Sequence, residues 1–111
     1  MADVPKETEE SINQLQLLEQ SLQTFLVQKQ QFQTQLVEVE SALKELETSK
    51  ESYKIVGNIM VQADKGDLKK ELESKKEMLN IRIKTLEKQE NQIKEKSTKL
   101  QSEVVEKIKE K

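Results

Sequence analysis

Apolar residues recur at alternating steps of three and four along residues 10–50, a stretch that contains no glycine or proline. Such a repeat returns to one face of an α-helix and is typical of a coiled coil. We therefore predict a helix over residues 8–50. Ten positions form its seam, and nine of them are apolar: Leu15, Leu18, Leu22, Phe25, Lys29, Phe32, Leu36, Val39, Leu43 and Leu46.

Lys29 is the polar exception in this seam. In one interpretation its aliphatic stem covers apolar surface while its ammonium group reaches water. In the other, a single charged seam residue selects the register of the partner helix. The sequence leaves both interpretations open.

A second, weaker repeat predicts another helix over residues 66–109, whose start Asp64 or Asp67 can cap. Glutamate-to-lysine pairs four residues apart, such as Glu90 and Lys94, support this helix. Its apolar stripe is thinner, so we expect it to be the more solvent-exposed partner. One row of the stripe is apolar throughout: Leu72, Leu79, Leu86, Ile93 and Leu100. The companion row is mixed: Lys76, Ile83, Glu90, Ser97 and Val104.

The two predicted helices are nearly equal in length, about 60 Å each at 1.5 Å per residue. Equal arms joined by a short connection predict an antiparallel helical hairpin with both chain termini at one tip. Residues 1–49 carry three lysines and nine acidic residues, whereas residues 50–111 carry sixteen basic and twelve acidic residues. This asymmetry arises either by chance in solvated faces or because the two halves attract each other, by a small amount per exposed pair.

The connection, residues 52–63, is the one β-rich stretch of the sequence. Gly57 and Asn58 lie between two β-branched runs, which predicts a β-hairpin with a type II′ turn. An isolated hairpin is marginally stable and leaves two open edges. It either joins hairpins of other chains or folds onto its own helix ends, and we favour assembly because helix ends offer little surface. The predicted assembly residues are Tyr53, Ile55, Val56, Gly57, Asn58, Ile59, Met60 and Val61.

Composition narrows the classes of function. The chain has no cysteine or histidine, so disulfides, cysteine–zinc sites and the commonest catalytic bases are excluded. Hydrophobic residues make up 33% and charged residues 36%, too few core formers for a shaped active-site pocket. No run of about 18 apolar residues occurs, and the net charge is -2. We predict a cytoplasmic non-enzyme that needs no cofactor or metal and binds neither membrane nor nucleic acid.

Two segments resemble the prefoldin family, particularly the archaeal β-type subunits. They are the hairpin, residues 53–61 (YKIVGNIMV), and residues 79–90 (LNIRIKTLEKQE). The resemblance covers nearly the whole chain and is loosest over residues 1–20. The single hairpin between the helices matches the β type, since the α type carries two. The short, charged C-terminus, residues 105–111, departs from some relatives.

The resemblance implies a mainly α-helical fold within a hexamer of two α and four β subunits. The hairpins would join into a β-barrel platform from which the coiled coils extend. Their tips would bind non-native polypeptides and pass them to a group II chaperonin without ATP.

Binding of unfolded clients requires apolar side chains near the tip that the coiled coil leaves uncovered. The candidates are Val4, Ile12, Leu15, Leu17, Leu18, Leu100, Val104, Val105 and Ile108. Ile12, Leu17 and Val105 lie off the main seam and are favoured, although scattered surface apolar residues are also ordinary. The alternative function is a structural or tethering coiled coil that acts through homo-oligomerisation.

Overall fold

The computed structural model describes residues 5–109 as two long helices with a β-hairpin between them. Helix α1 spans Lys6–Thr48, strands β1 and β2 span Tyr53–Val56 and Ile59–Gln62, and helix α2 spans Lys65–Lys109. The predicted mainly helical fold with one connecting hairpin is therefore confirmed. None of the described helices combines the length and apolar character needed to cross a membrane.

Local hydrogen bonds fix where the helices begin and end. The Pro5 carbonyl accepts the amide of Thr8 at 2.9 Å in the first turn of α1. At the other end of α1, the ammonium group of Lys65 donates to the carbonyls of Glu47 and Ser49 at 3.3 and 3.0 Å. These last carbonyls have no partner within the helix, so a cation there satisfies them and complements the helix dipole.

Asp64 caps the start of α2, one of the two residues that the sequence offered for this role. Its carboxylate accepts the Asp67 amide at 3.1 Å, and its carbonyl accepts the Leu68 amide at 2.9 Å. A short acceptor side chain three residues before the amide is the usual N-cap arrangement. The cap turns the chain from the hairpin directly into the helix.

The chain divides into two compact units, each with its own helix pair. The terminal unit comprises Met1–Lys29 and Thr85–Lys111, and the hairpin unit comprises Gln30–Lys84. In the terminal unit, Lys29 lies 3.0 Å from Glu90 and Lys107 lies 3.3 Å from Glu7. As the residue number rises along α1, the residue number of the paired side chain in α2 falls. The two helices therefore run antiparallel in this unit.

All ten predicted α1 seam positions are buried or half-buried, and the residues between them along α1 are exposed. In the hairpin unit, Val39 and Leu46 of α1 are 5% and 7% exposed, and Leu79 of α2 is 2% exposed. The Arg82 guanidinium lies 5.6 Å from the centre of the Phe32 ring, a cation–π contact across the pair. The core of each unit is thus a seam between its two helical segments rather than a globular interior.

The two helices are almost equally exposed, since 12 of the 43 residues of α1 and 11 of the 45 residues of α2 are buried or half-buried, so the expected excess exposure of α2 is slight. Among the described residues, four of the six buried apolar side chains belong to α2: Leu79, Ile83, Leu86 and Val104. These four residues of α2 lie along the line where the two helices approach each other most closely. Side chains of α1 therefore cover them on both sides. The polar companion positions also enter the seam, with Glu90 buried and Lys76 and Ser97 half-buried.

Candidate functional site

The hairpin is a regular antiparallel pair with a two-residue turn. Tyr53 pairs with Gln62, Lys54 with Val61, Ile55 with Met60 and Val56 with Ile59. Gly57 has a φ of 61°, and it is the one described residue with a positive φ. Positive φ at the first central residue only defines a type II′ turn, as predicted.

Both faces of the hairpin are apolar and open to solvent. Side chains alternate across a strand, so Ile55 and Met60 share one face while Val56 and Ile59 share the other. Their exposed fractions are 69%, 64%, 57% and 66%, respectively. Single exposed apolar residues are ordinary, but a two-faced cluster of this density is typical of an interaction surface.

The backbone edges of the hairpin are also open. The Ala63 amide donates to the Ser52 carbonyl at 2.9 Å, which marks that pair as hydrogen-bonded. Because such pairs alternate along an antiparallel ladder, Tyr53 and Ile55 direct their backbone groups outward on β1, and Met60 and Gln62 do so on β2. The hairpin therefore offers donors and acceptors on both edges to further strands.

Polar contacts hold the base of the hairpin. The Ser52 hydroxyl donates to the Ala63 carbonyl at 2.6 Å, and the Lys54 ammonium donates to both Glu71 carboxylate oxygens at 2.8 and 3.1 Å. Sequence reasoning missed Ser52 and Lys54. Lys54 could have been found from the sequence because it is the one cationic residue in two strands that are otherwise largely apolar.

Tyr53 makes a further contact at the base. Its hydroxyl donates to the Glu51 carboxylate at 2.7 Å. This hydrogen bond, with a smaller contribution from burial, raises the pKa of Tyr53 above its usual value of 10.0. The contact with the Glu51 carboxylate therefore favours the protonated form of the phenol.

The predicted tip residues differ in exposure. Ile12, Leu17, Val105 and Ile108 are exposed, at 37%, 62%, 49% and 59%. Val104 is buried in the seam at 8%, and Val4 lies outside the described residues. The remaining three are half-buried seam residues: Leu15, Leu18 and Leu100.

Three of the exposed residues lie on one flank of the terminal unit. In the heptads of the seam, Ile12 directly follows a seam position of α1, and Val105 directly follows Val104 of α2. Ile108 lies three residues beyond Val105, on the same side of α2. Antiparallel packing brings these equivalent flanks of the two helices together. Ile12, Val105 and Ile108 form what we call the terminal patch, whereas Leu17 lies on the opposite flank.

The seam also continues beyond the predicted positions. Ser11 is half-buried and Thr8 is fully buried, with no hydrogen-bond partner for its hydroxyl among the described residues. Both residues could have been found by continuing the spacing of the seam back from Leu15, by four residues to Ser11 and then by three to Thr8. Other exposed apolar side chains outside the predicted sites are Leu26, Val27, Val37, Met78 and Ile81.

Within residues 5–109, no cluster of three or more potential ligands could hold a metal ion. The surface depressions there are lined largely by charged and polar side chains, such as Glu95, Lys96 and Lys99 in one of them. The features suited to binding are therefore the hairpin and the terminal patch, both of which are apolar and solvent-exposed.

Comparison with known proteins gives consistent matches. A family model described as "Prefoldin subunit" matches residues 9–111. The prefoldin subunit beta of Archaeoglobus fulgidus is 39% identical over 107 residues, covering 94% of this chain and 92% of that protein. That of Pyrobaculum neutrophilum is 36% identical, covering 94% and 85%. The crystal structure of the prefoldin beta subunit from Thermococcus strain KS-1 superposes with a TM-score of 0.85 at 34% identity, covering 94% of both chains.

Proposed function

The chain belongs to the prefoldin family of non-enzymatic chaperone subunits, and on that premise we propose that it captures non-native polypeptides as part of a hetero-oligomer. The proposed complex contains two α-type subunits and four copies of this chain. The observation that carries the proposal is the hairpin, whose apolar residues are exposed on both faces although the chain's own seam is closed.

The hairpin is the proposed assembly element. Its open edges on both strands suit the addition of strands from other subunits, and its two apolar faces suit packing inside a closed sheet. Closure into a barrel would remove the edges and bury Ile55, Val56, Ile59 and Met60. At its base, the Ser52 hydroxyl closes the two strand ends and Lys54 links the hairpin to Glu71 of α2.

Assembly can be tested by measuring the native mass of the chain with and without an archaeal prefoldin α subunit. We expect a complex of about six chains with the wild type. The double variant Ile55→Lys/Met60→Lys should keep its helical circular dichroism but stay at lower mass, because it places charges on one hairpin face. Val37→Lys/Met78→Lys, which places two charges at exposed apolar positions of the helices, is the matched control. A stable dimer that ignores the α subunit would instead favour a tethering coiled coil.

Client binding is proposed for the terminal patch and Leu17. Apolar capture needs no directional partner, so varied unfolded sequences can bind. A single patch of three side chains gives weak affinity, but several copies acting on one client raise it by multivalency. Weak contacts at several points also permit release to a group II chaperonin without ATP.

The patch can be tested with Ile12→Ser/Val105→Ser/Ile108→Ser in the assembled complex. We expect loss of most of the ability to suppress aggregation of a chemically denatured client, with the native mass unchanged. Val37→Ser/Met78→Ser removes exposed apolar groups elsewhere and should retain protection. Full protection by the triple variant would refute the role of the patch.

Transfer of the client completes the proposal, with the cytoplasm as the place of action. A labelled client bound to the complex should move to an added group II chaperonin in the absence of nucleotide. Persistence of the label on the complex would refute transfer.

A further inference from the structure

Lys29 and Glu90 form a charged pair inside the apolar seam of the terminal unit. The Lys29 ammonium nitrogen lies 3.0 Å from Oε1 of Glu90 and donates a hydrogen bond to Oε2 at 3.3 Å. The two side chains are only 19% and 8% exposed. Among the described residues Oε1 has no other hydrogen-bond partner, so Lys29 is its compensating charge. The other ion pairs, Lys54–Glu71 and Lys107–Glu7, are far more exposed.

The pair occupies equivalent seam positions of the two helices. Toward the chain ends, the Glu7–Lys107 ion pair and the depression lined by Leu18, Lys99 and Leu100 bring Leu18 level with Ser97 and Leu15 level with Leu100. The four seam residues of these two layers are half-buried, as this alignment requires. Neutral layers accept a shift of one heptad, because leucine packs against leucine, valine or serine without leaving a charge unpaired.

A shifted helix would leave the charged pair broken. In one direction Lys29 would face Ser97, and in the other Glu90 would face Leu22. A buried charge without its partner is strongly destabilising, whereas replacing both partners with apolar residues is often neutral. The pair therefore discriminates between registers without having to add net stability, which is the role attested for single polar seam residues in coiled coils.

We propose that the Lys29–Glu90 pair fixes the register of the terminal unit and thereby aligns the terminal patch. Ile12 lies 17 residues before Lys29, and Val105 and Ile108 lie 15 and 18 residues after Glu90. At 1.5 Å per residue these distances are all about 22–27 Å, so the patch residues from the two helices come to one level. A slip of one heptad would displace them by about 10 Å and split the patch. The two residues are positioning residues, not client contacts.

The register can be read by engineered disulfides, since the chain has no cysteine. Leu18→Cys with Ser97→Cys reports the observed register. Ser11→Cys with Ser97→Cys reports a slip of one heptad, because in the observed register these positions are about 10 Å apart along the axis, beyond disulfide reach. Each reporter is placed in the full-length chain with Lys29 and Glu90 intact, with Lys29→Leu/Glu90→Leu, and with the exchanged pair Lys29→Glu/Glu90→Lys.

We expect the ratio of slipped to observed cross-link to rise at least tenfold in Lys29→Leu/Glu90→Leu and to return to the starting value in the exchanged pair. The control Lys54→Leu/Glu71→Leu removes an exposed ion pair and should leave the ratio unchanged. An unchanged ratio in Lys29→Leu/Glu90→Leu would overturn the proposal, because the connection between the helices would then set the register. Failure of the exchanged pair to restore the ratio would also overturn it.

The consequence for client binding rests on the proposed function and has its own readout. In the assembled complex, Lys29→Leu/Glu90→Leu should suppress client aggregation less than the wild type, and the exchanged pair should recover the loss. If the wild-type complex gives no protection, the proposed function fails while the cross-linking result stands. If protection is unchanged although the register slips, the alignment of the patch is refuted.

Discussion

The helix seam and the β-hairpin use the same kinds of side chain in opposite ways. In the hairpin unit, Val39 and Leu79 are 5% and 2% exposed, whereas Ile55 and Ile59 are 69% and 66% exposed. The seam residues find their partners within the chain because two antiparallel helices present complementary stripes. The hairpin has only two strands, so its faces and edges stay open. Apolar residues in this protein are therefore buried against the chain itself in one region and left exposed to solvent in the other.

The strongest test of this difference compares truncation in the two regions. Leu79→Ala should lower the free energy of unfolding of the isolated chain by about 4 kcal/mol, since it leaves a cavity in the seam. Ile55→Ala should change it by less than about 0.5 kcal/mol, because that side chain has no partner to lose. Urea denaturation followed by helical circular dichroism measures both. Equal losses would mean that the hairpin is part of the chain's own core.

A second test probes the charged layer of the seam. Lys29→Leu should cost about 3 kcal/mol, because it strands the nearly buried Glu90 carboxylate. Glu90→Leu should cost less, about 1 kcal/mol, because the longer Lys29 side chain can extend its ammonium group to water. The double variant should unfold close to the wild type. A reversed order of the two single variants in urea denaturation would contradict the burial argument.

The hairpin turn gives a smaller effect, confined to one region. Gly57→Ala places a side chain at a φ of 61°, which costs about 1–2 kcal/mol of local stability although no atom lies within 4 Å of the added carbon. Asn58→Ala is the matched control, since Asn58 has no positive φ. Hydrogen exchange should show faster exchange of strand amides in Gly57→Ala, while the helix amides stay protected. Faster exchange throughout the helices would mean that the two regions unfold together.

The smallest expected effect is a pH dependence at the base of the hairpin. Because the pKa of Tyr53 is raised above 10.0, the folded chain holds the phenolic proton more tightly than the unfolded chain. This stabilisation is complete below pH 10.0 and is lost as the pH rises through the folded pKa. Tyr53 is the one tyrosine and the chain has no tryptophan, so tyrosinate absorbance reports it alone.

The control for the titration is Glu51→Gln, which removes the negative charge that opposes ionisation of the phenol. Its Tyr53 pKa should fall back toward 10.0. An identical titration in both chains would show that the Glu51 contact does not govern this pKa.

Much of the fold could be predicted because its determinants are local and periodic. The three-and-four spacing around Leu36 and Leu43 marked the first seam, and Gly57 marked the turn, since a type II′ turn requires positive φ at that position. Asp64 could be named as a cap because the helix start needs an acceptor there. The exposed tip candidates Leu17 and Val105 were also visible as apolar residues off the seam.

Other features depend on which residues meet across the seam. The mixed companion row of α2 predicted a more exposed helix, but spacing alone does not say how closely a partner covers each position, and four of the six buried apolar side chains among the described residues belong to α2. The burial of Thr8 was missed because a polar residue carries no hydrophobic signal. The Lys54–Glu71 contact links residues that are 17 positions apart, so no local pattern could predict it.

The sequence by itself determined the two helices, the turn at Gly57 and the stripe that each helix presents, because backbone conformation and side-chain periodicity follow from neighbouring residues. It left the role of Lys29 open between a solvated side chain and a register-selecting one. Only the tertiary structure decided that Lys29 meets Glu90 in the seam and that the hairpin residues have no cover of their own. Both facts concern groups distant in the chain, and the free energy of a charge or an apolar side chain depends on what surrounds it in space.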